Sequence, residues 1–355
     1  MAELDRAKQE AFVARILGVL NGGALALMTS IGRQTGLFEV MATLPASTSP
    51  EIATAAGLDE RYVREWLGAM VTGGIVEFSA ADGRYRLPAE HAAVLTSAAG
   101  PRNVARYMQY IPMLAEVEAD VIESFRKGGG VPYARYPRFQ MLMAESSGLR
   151  FDHLLLEKVL PLTGLQEALE RGGAEVLDIG CGRGHAMNLL ARRFPKSRFA
   201  GYEIAETAIS AAQAEARTLG IANARFEVRD VAALDELGRY DLVTGFDVIH
   251  DQARPRDVLR GVARSLKPGG VFLMVDVRAS SRLEDNISHP MGPFLYGMST
   301  MHCMTVSLAL GGAGLGTVWG EQTALEMLRE AGLGAVEVSR LEDDPLNNYY
   351  VARRG

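Results

Sequence analysis

The chain is poor in cysteine: Cys181 and Cys303 are the only two in 355 residues. Two cysteines build no disulfide framework and suit a reducing compartment, so a cytoplasmic location is expected. Positive charge is not in excess, since 37 Lys and Arg stand against 43 Asp and Glu for a formal charge of −6. Broad attraction to nucleic acid or anionic lipid is therefore not expected. No H-x-x-x-H, C-x-x-C or clustered-acid pattern is present, and adjacent His302 and Cys303 do not aim two ligands at one ion, so no metal is expected. The opening MAELDRAKQE lacks the basic start and cleavage site of a secretory signal. An apolar run after Arg15 reaches only Ile31 and contains Asn21, Gly22 and Gly23. It is short against the roughly 20 residues of a membrane span, so an amphipathic or buried helix is expected there and no membrane contact. Repeats and low-complexity tracts are missing too.

What the chain does have is EVLDIGCGRG, Glu175 to Gly184, a short apolar strand leading through glycines into a helical stretch, Met187 to Phe194. Gly180, Gly182 and Gly184 allow a sharp exit from the strand and a close backbone approach to a ligand. Their G-x-G-x-G spacing misses the dinucleotide pattern G-x-G-x-x-G by one residue. Asp178 at the strand end would repel a pyrophosphate but suits a cation, and S-adenosylmethionine is a cationic nucleoside without phosphate. A second strand, Arg198 to Glu203, ends in an acid nineteen positions past Gly184, about where a ribose-binding carboxylate belongs. Ile204 follows it. A third, Ala224 to Arg229, leads to Asp230-Val231, an acid for an adenine amino group beside an apolar wall. The fourth, Tyr240 to Phe246, ends at Asp247. Successive strands finishing in acids at one sheet edge mark a ligand site of an open α/β sheet.

These motifs, with FDVIHD and the LKPGG turn before VFLMVDV, resemble those of class I S-adenosylmethionine-dependent methyltransferases over residues 173 to 355. The resemblance implies a Rossmann-like seven-stranded α/β sheet. It also implies cofactor contacts at Asp178, Gly180, Gly182, Gly184, Glu203, Ile204, Asp230, Val231 and Phe246.

The first hundred residues read as mostly helical. Ala7 to Val19 and Ala24 to Thr35 flank the Gly22-Gly23 break, and Ser49 to Ala56 and Glu60 to Thr72 meet at Gly57-Leu58-Asp59, the acid being a natural N-cap. Strands Ile75 to Ser79 and Arg84 to Leu87 turn about Asp82-Gly83. This is a winged-helix order. Between Glu51 and Glu90 seven acids face four arginines, a net of −3, the wrong sign for DNA recognition. Residues 24 to 88 instead resemble the N-terminal dimerisation domain of plant-type and bacterial small-molecule O-methyltransferases, which implies a homodimer.

Residues 101 to 172 are expected to join the halves through helical stretches Val104 to Lys127, Pro137 to Gly148 and Phe151 to Leu160. Tyr133 and Tyr136, with Tyr107, Tyr110 and Phe139 nearby, could wall an apolar cavity or simply fill a core. A cap insertion over about 283 to 316 carries Tyr296, His302, Cys303 and four methionines, and its glycines at 311, 312, 314 and 316 suggest pliancy. Tyr133, Tyr136, Tyr296, His302 and Cys303 are candidate substrate contacts.

His250 lies just past the fourth strand, near the expected ligand rim. A histidine within reach of a phenol can take its proton. The segment resembles the HDW stretch in which plant-type O-methyltransferases carry their general base, with Gln252 replacing the tryptophan. The expected activity is methylation of a small, fairly apolar acceptor at a hydroxyl oxygen. A thiol or sulfide acceptor, or a winged-helix regulator that senses the cofactor, are the alternatives.

Overall fold

The computed structural model describes residues 4–355. The chain divides after Ala115 into two compact units.

The first unit opens with one helix, Arg6–Gln34, started by Asp5, whose side chain accepts the Lys8 N–H. The expected break at Gly22-Gly23 does not occur. An interior glycine costs about 1 kcal/mol against alanine, too little to end a helix of 29 residues. Nor is the helix buried. Phe12, Val13, Ile16, Leu17, Val19 and Leu20 are all exposed, and an 18-residue window has a mean hydropathy of 1.7 with none of it covered, long and apolar enough by length and composition to cross a membrane. Helices Leu37–Thr43, Ser49–Ala56 and Glu60–Thr72 follow. Asp59 caps the last by accepting the Arg61 N–H at 2.9 Å. A short antiparallel hairpin, β1 (Glu77–Ser79) with β2 (Arg84–Arg86), pairs Phe78 with Tyr85. The core gathers Phe38, Ile52, Val63, Trp66, Leu67 and Met70. Trp66 donates its indole N–H to the Met28 carbonyl at 2.8 Å, which pins the long helix to Glu60–Thr72. The stretch expected as one helix from Val104 breaks into Ala105–Met108, Tyr110–Ala115 and, in the second unit, Glu118–Lys127. Pro112 accounts for the first break: it lacks an N–H and is tolerated only in a first turn.

The second unit is built on seven strands, β3 (Glu175–Ile179), β4 (Arg198–Glu203), β5 (Ala224–Val228), β6 (Tyr240–Phe246), β7 (Leu266–Val277), β8 (Leu333–Leu341) and β9 (Asp344–Arg354). They lie in the order β5-β4-β3-β6-β7-β9-β8, parallel except for β9, which runs antiparallel to both neighbours. The sheet is covered on both faces, so β3 is apolar at successive positions and sends alternate side chains to opposite sides. Val176 joins a core with Leu190, Phe199 and Leu273, while Leu177 and Ile179 join one with Tyr202, Phe272 and Trp319. The chain reverses its direction of winding between β3 and β6, which opens a crevice beyond their carboxyl ends.

Two expected helices ahead of the sheet prove continuous. Phe139–Arg150 runs directly into the π-wound stretch Phe151–Val159, since no proline intervenes and Gly148 stays helical. The insertion after β7 is helical as well: Leu283–Asn286, Gly292–Met298, π-wound Ser299–Cys303 and Met304–Ala309. Its glycines reflect tight packing more than pliancy, because a Cβ on Gly312 would overlap Ala253 and one on Gly316 would overlap Ser299.

Candidate functional site

The carboxyl ends of β3, β4, β5 and β6 share one edge because these strands are parallel neighbours. Beyond that edge lies a cavity of about 590 Å³. Asp178, Gly180, Gly182, Glu203, Ile204, Asp230, Val231 and Phe246 all line it, as does Tyr133. Gly184, Tyr136, Tyr296, His250, His302 and Cys303 do not.

Each acid is held by a local contact. Thr244 on β6 donates its hydroxyl to Asp178 at 2.7 Å. Burial nevertheless pushes the Asp178 carboxyl up to about 7, against that hydrogen bond and with Glu203 adding to the rise. A carboxylate so short of solvent gains most from a cation beside it. Glu203 is fixed at both oxygens: one accepts the Gly182 N–H at 3.2 Å and the other the Ala205 N–H at 3.1 Å. Its remaining lone pairs can accept two vicinal hydroxyls. Asp230 caps the turn Val231–Ala233 through the Ala232 N–H and pairs with Arg254 at 3.2 Å. Arg229, also on the lining, is committed to Asp235 and Glu236. Arg229 and Arg254 are thus committed to carboxylates, an arrangement that suits a phosphate-free nucleoside.

The glycines divide the work. A Cβ on Gly180 would overlap the Val248 side chain, and one on Gly184 would come within 2.5 Å of Ala212 Cβ and 2.6 Å of the Phe226 ring. These two close the strand and helix onto the protein. A Cβ on Gly182 would meet nothing, in a residue that borders the cavity. It is the bare backbone here that leaves room for a ligand. Cys181 between them is no nucleophile, since burial, with Asp178 and Glu203 adding, holds its thiol well above the ordinary range.

Phe139, Met143, Ser147 and Phe151 roof the cavity from the continuous helix ahead of the sheet. Two ionic ties hold that roof. Arg150 donates to Asp247 at 2.6 Å and lies 3.9 Å from Asp344. Asp247 itself takes a left-handed φ of 54°, a conformation an aspartate tolerates better than most residues. His185, at the start of the helix after the glycines, bridges Glu215 at 2.6 Å and Asp152 at 2.8 Å. The hydrogen bond to Glu215 raises its imidazole most, Asp152 adds to this and burial opposes it, with a result of about 9.

His250 sits behind the lining, 5% exposed. Its Nδ1 is 2.8 Å from Asp276 Oδ1 at the end of β7, and the Cys303 thiol hydrogen-bonds the same ring. Burial alone would lower this imidazole; the Asp276 carboxylate overrides it and, with Cys303, raises it well above the usual histidine range. Asp251 does reach the lining, and burial lifts it to about 6, His250 working against the rise. Tyr136 is buried and donates to the Met301 carbonyl at 2.5 Å, while Tyr296 is partly exposed and accepts from Asn286 at 3.2 Å.

Several lining residues escaped the sequence reading: Gln140, Met143, Ser147, Arg183, His185, Val248 and Val306. His185 carried a usable signal, directly after the glycine turn. The others sit on helices whose facing no spacing reveals.

Residues 23–97 match the family described as Rv2258c-like winged HTH domain, and residues 170–332 match the family described as methyltransferase domain. The ubiquinone biosynthesis O-methyltransferase of Leptothrix cholodnii is 33% identical over 28% of this chain and 43% of its own length. The fatty-acid O-methyltransferase of Mycolicibacterium smegmatis is 30% identical over 30% of this chain and 38% of its own. The chain thus spans under half the length of these curated relatives. Among solved structures, a putative O-methyltransferase from Nostoc punctiforme superposes with a TM-score of 0.72 at 19% identity, covering 96% of this chain and 98% of that one. Human N-acetylserotonin methyltransferase, solved with S-adenosylmethionine, gives 0.69 at 16% identity over 100% and 99%. At such identities the likeness is one of fold.

Proposed function

We propose that this chain, whose residues 170–332 are a methyltransferase domain and whose residues 23–97 are a winged helix-turn-helix, is an S-adenosylmethionine-dependent methyltransferase acting at a hydroxyl oxygen of a small, fairly apolar acceptor. The observation that carries the reading is Glu203. It stands at the carboxyl end of β4, next to the strand where the winding reverses, with both oxygens fixed by backbone N–H groups, one of them from the glycine turn itself. S-adenosylmethionine, when bound, supplies an electrophilic methyl group. Glu203 holds the ribose hydroxyls, Asp178 faces the cationic methionine portion, and Asp230 with Val231 receives the adenine. Phe246, Phe139 and Phe151 exclude water.

His250 moves the acceptor's proton. With Nδ1–H donated to Asp276, Nε2 keeps the basic lone pair, and the Cys303 thiol, a weak donor, is the group an acceptor hydroxyl replaces at the ring. Proton removal by a positioned imidazole contributes on the order of 10²–10⁴ in rate. A thiol acceptor, already near its ionisation at neutral pH, would have less use for this buried pair.

The exposed apolar side chains of Arg6–Gln34 support a homodimer in which a second copy covers them, with residues 1–100 as the dimerising part, 101–172 as connection and wall, and 173–355 as the cofactor-binding part. The balance of charge and the scarcity of cysteine support a cytoplasmic setting. Calorimetric titration with S-adenosylhomocysteine tests the reading. Glu203→Ala is expected to weaken binding about 10- to 150-fold, the worth of hydrogen bonds to a charged group. Equal affinity in the variant and the parent, or no binding by either, would refute it.

A further inference from the structure

Five carboxylates line the cavity, Asp178, Glu203, Asp230, Asp247 and Asp251. The first four are engaged: Asp178 accepts from Thr244, Glu203 from two backbone N–H groups, Asp230 from Ala232 and Arg254, and Asp247 from Arg150. Asp251 differs. Among the described residues no side chain donates to its carboxyl, and the hydrogen bond that reaches it comes from its own backbone. Nor does it cap a helix, since the following one, Pro255–Ser265, starts at Arg254 without a side-chain bond.

The backbone around this free side chain is firmly held. The His250 carbonyl accepts the Gly316 N–H at 3.0 Å, the Gln252 carbonyl the Ser307 hydroxyl at 2.9 Å, and the Ala253 carbonyl the Ala313 N–H at 3.0 Å. A carboxyl short of solvent and without a partner is a standing loss that an alanine would avoid. Positions that keep such a loss are those where a partner arrives from outside. The surroundings indicate which partner. Asp251 lies within electrostatic reach of Glu203, the ribose acid, and of the His250–Asp276 pair. Tyr133 feels both Glu203 and Asp251. In S-adenosylmethionine the sulfonium is bonded to the ribose side and its methyl must face the base, so a carboxylate close to both groups is the one that charge would meet.

We infer that Asp251 is the counter-ion of the cofactor's sulfonium, and that through it the site discriminates by charge between the methyl donor and its demethylated product. The inference rests on the methyltransferase reading and adds a specificity-determining residue to it. Asp178 cannot discriminate in this way, because the ammonium of the methionine portion is common to both ligands. An opposite charge within about 4–6 Å changes a carboxylate's proton affinity about 10- to 1000-fold, and by reciprocity the ionised carboxylate strengthens binding of that charge by the same factor. Once the methyl is transferred, the electrons of its bond to sulfur stay behind on a neutral thioether. Asp251 then lacks a partner again, which favours departure of the product. Burial lifts this carboxyl to about 6, Asp276 and Glu203 adding and His250 opposing, so it is mostly ionised at neutral pH and loses its charge in mild acid.

The test measures dissociation constants for S-adenosylmethionine and S-adenosylhomocysteine by calorimetric titration, without any acceptor, in the parent and in Asp251→Asn. At neutral pH the variant should lose about ten-fold or more of the parent's affinity for S-adenosylmethionine relative to S-adenosylhomocysteine, while the constant for S-adenosylhomocysteine itself moves by no more than about two-fold. In the parent the advantage of the charged ligand is whole above about pH 6 and fades below it as Asp251 takes a proton. In the variant the ratio should stay level. Asp178 titrates alike for both ligands and drops out of the ratio, and the variant retains His250, Asp276, Glu203 and Tyr133, so it controls for their charges. An equal ratio in parent and variant, or a parental ratio that does not fall in acid, overturns the inference. Should Asp251→Asn not fold, Asp251→Ser carries the same expectations. A parent that binds neither ligand sinks the methyltransferase reading, whereas binding of both without the difference leaves that reading standing and removes this one.

Discussion

Two glycines two residues apart should separate stability from binding. Gly184 has a φ of 76° and Gly182 one of 53°, so alanine at either position adopts a left-handed backbone at a cost of about 1–2 kcal/mol. Gly184→Ala also drives its Cβ into Ala212 and the Phe226 ring, and overpacking a core adds about 1–3 kcal/mol. The sum is centred on about 3.5 kcal/mol, which for a unit of this size lowers the melting temperature by about 7–14 °C. Gly182→Ala meets no protein atom, so its cost is centred on about 1.5 kcal/mol and it should lose only about 3–6 °C. Its methyl group borders the cavity, however, and crowding a ligand there by about 1–3 kcal/mol raises the dissociation constant for S-adenosylhomocysteine about 5- to 150-fold. Gly184→Ala, remote from the lining, should keep that constant within about two-fold. Thermal melts and calorimetry on both variants decide the matter. The reasoning is refuted if the two lose equal stability, or if Gly182→Ala binds like the parent while Gly184→Ala does not.

Two further expectations concern protons. Because Asp178 is raised to about 7 in the free protein and only its charged form favours a cation, binding of S-adenosylmethionine must release protons at and below neutrality. Affinity should fall by up to about ten-fold per pH unit below about 7 and level off above it. Asp178→Asn should flatten the curve, and titrations in buffers of differing ionisation enthalpy would expose the released proton; a pH-independent parent contradicts the assignment. For His250, the imidazole is raised by Asp276, and a base works only when neutral, so the rate should climb with pH beyond the ordinary histidine range. Asp276→Asn should move that limb to lower pH while kcat drops on the order of 10²–10⁴, and a limb that stays in place rejects the pair as the proton carrier.

The acidic rim of the cavity was readable because local sequence determines it. Short apolar strands, their terminal acids and three glycines each declare themselves within ten residues, and parallel strands then bring Asp178, Glu203 and Asp230 to one edge. The winged-helix order was readable for the same reason: Asp59 caps a helix and Asp82-Gly83 turns a hairpin. Contacts between distant segments were not. Asp276 meets His250 across two strands, Asp152 and Glu215 converge on His185, and Arg150 reaches Asp247, with no periodicity to announce any of them. The long first helix misled for a different reason. Gly22-Gly23 looks like punctuation, yet two glycines cost less than the hydrogen bonds a continuous helix retains.

The Arg150 anchor determines from which end the cavity can be entered. Pulling the roof away at that end would strand a guanidinium and two aspartates in a dry interior, so this end behaves as a rivet. The opposite end, at Tyr133 and Phe139, is secured by ring contacts, the Tyr136 hydroxyl, the Val131 N–H donated to Thr305 and ion pairs of Arg135 and Arg138 that water reaches, with the left-handed Gly128 and Gly129 a few residues upstream. Traffic of small molecules should therefore pass beside the aromatics, and a crosslink there, rather than one at Arg150, should slow exchange.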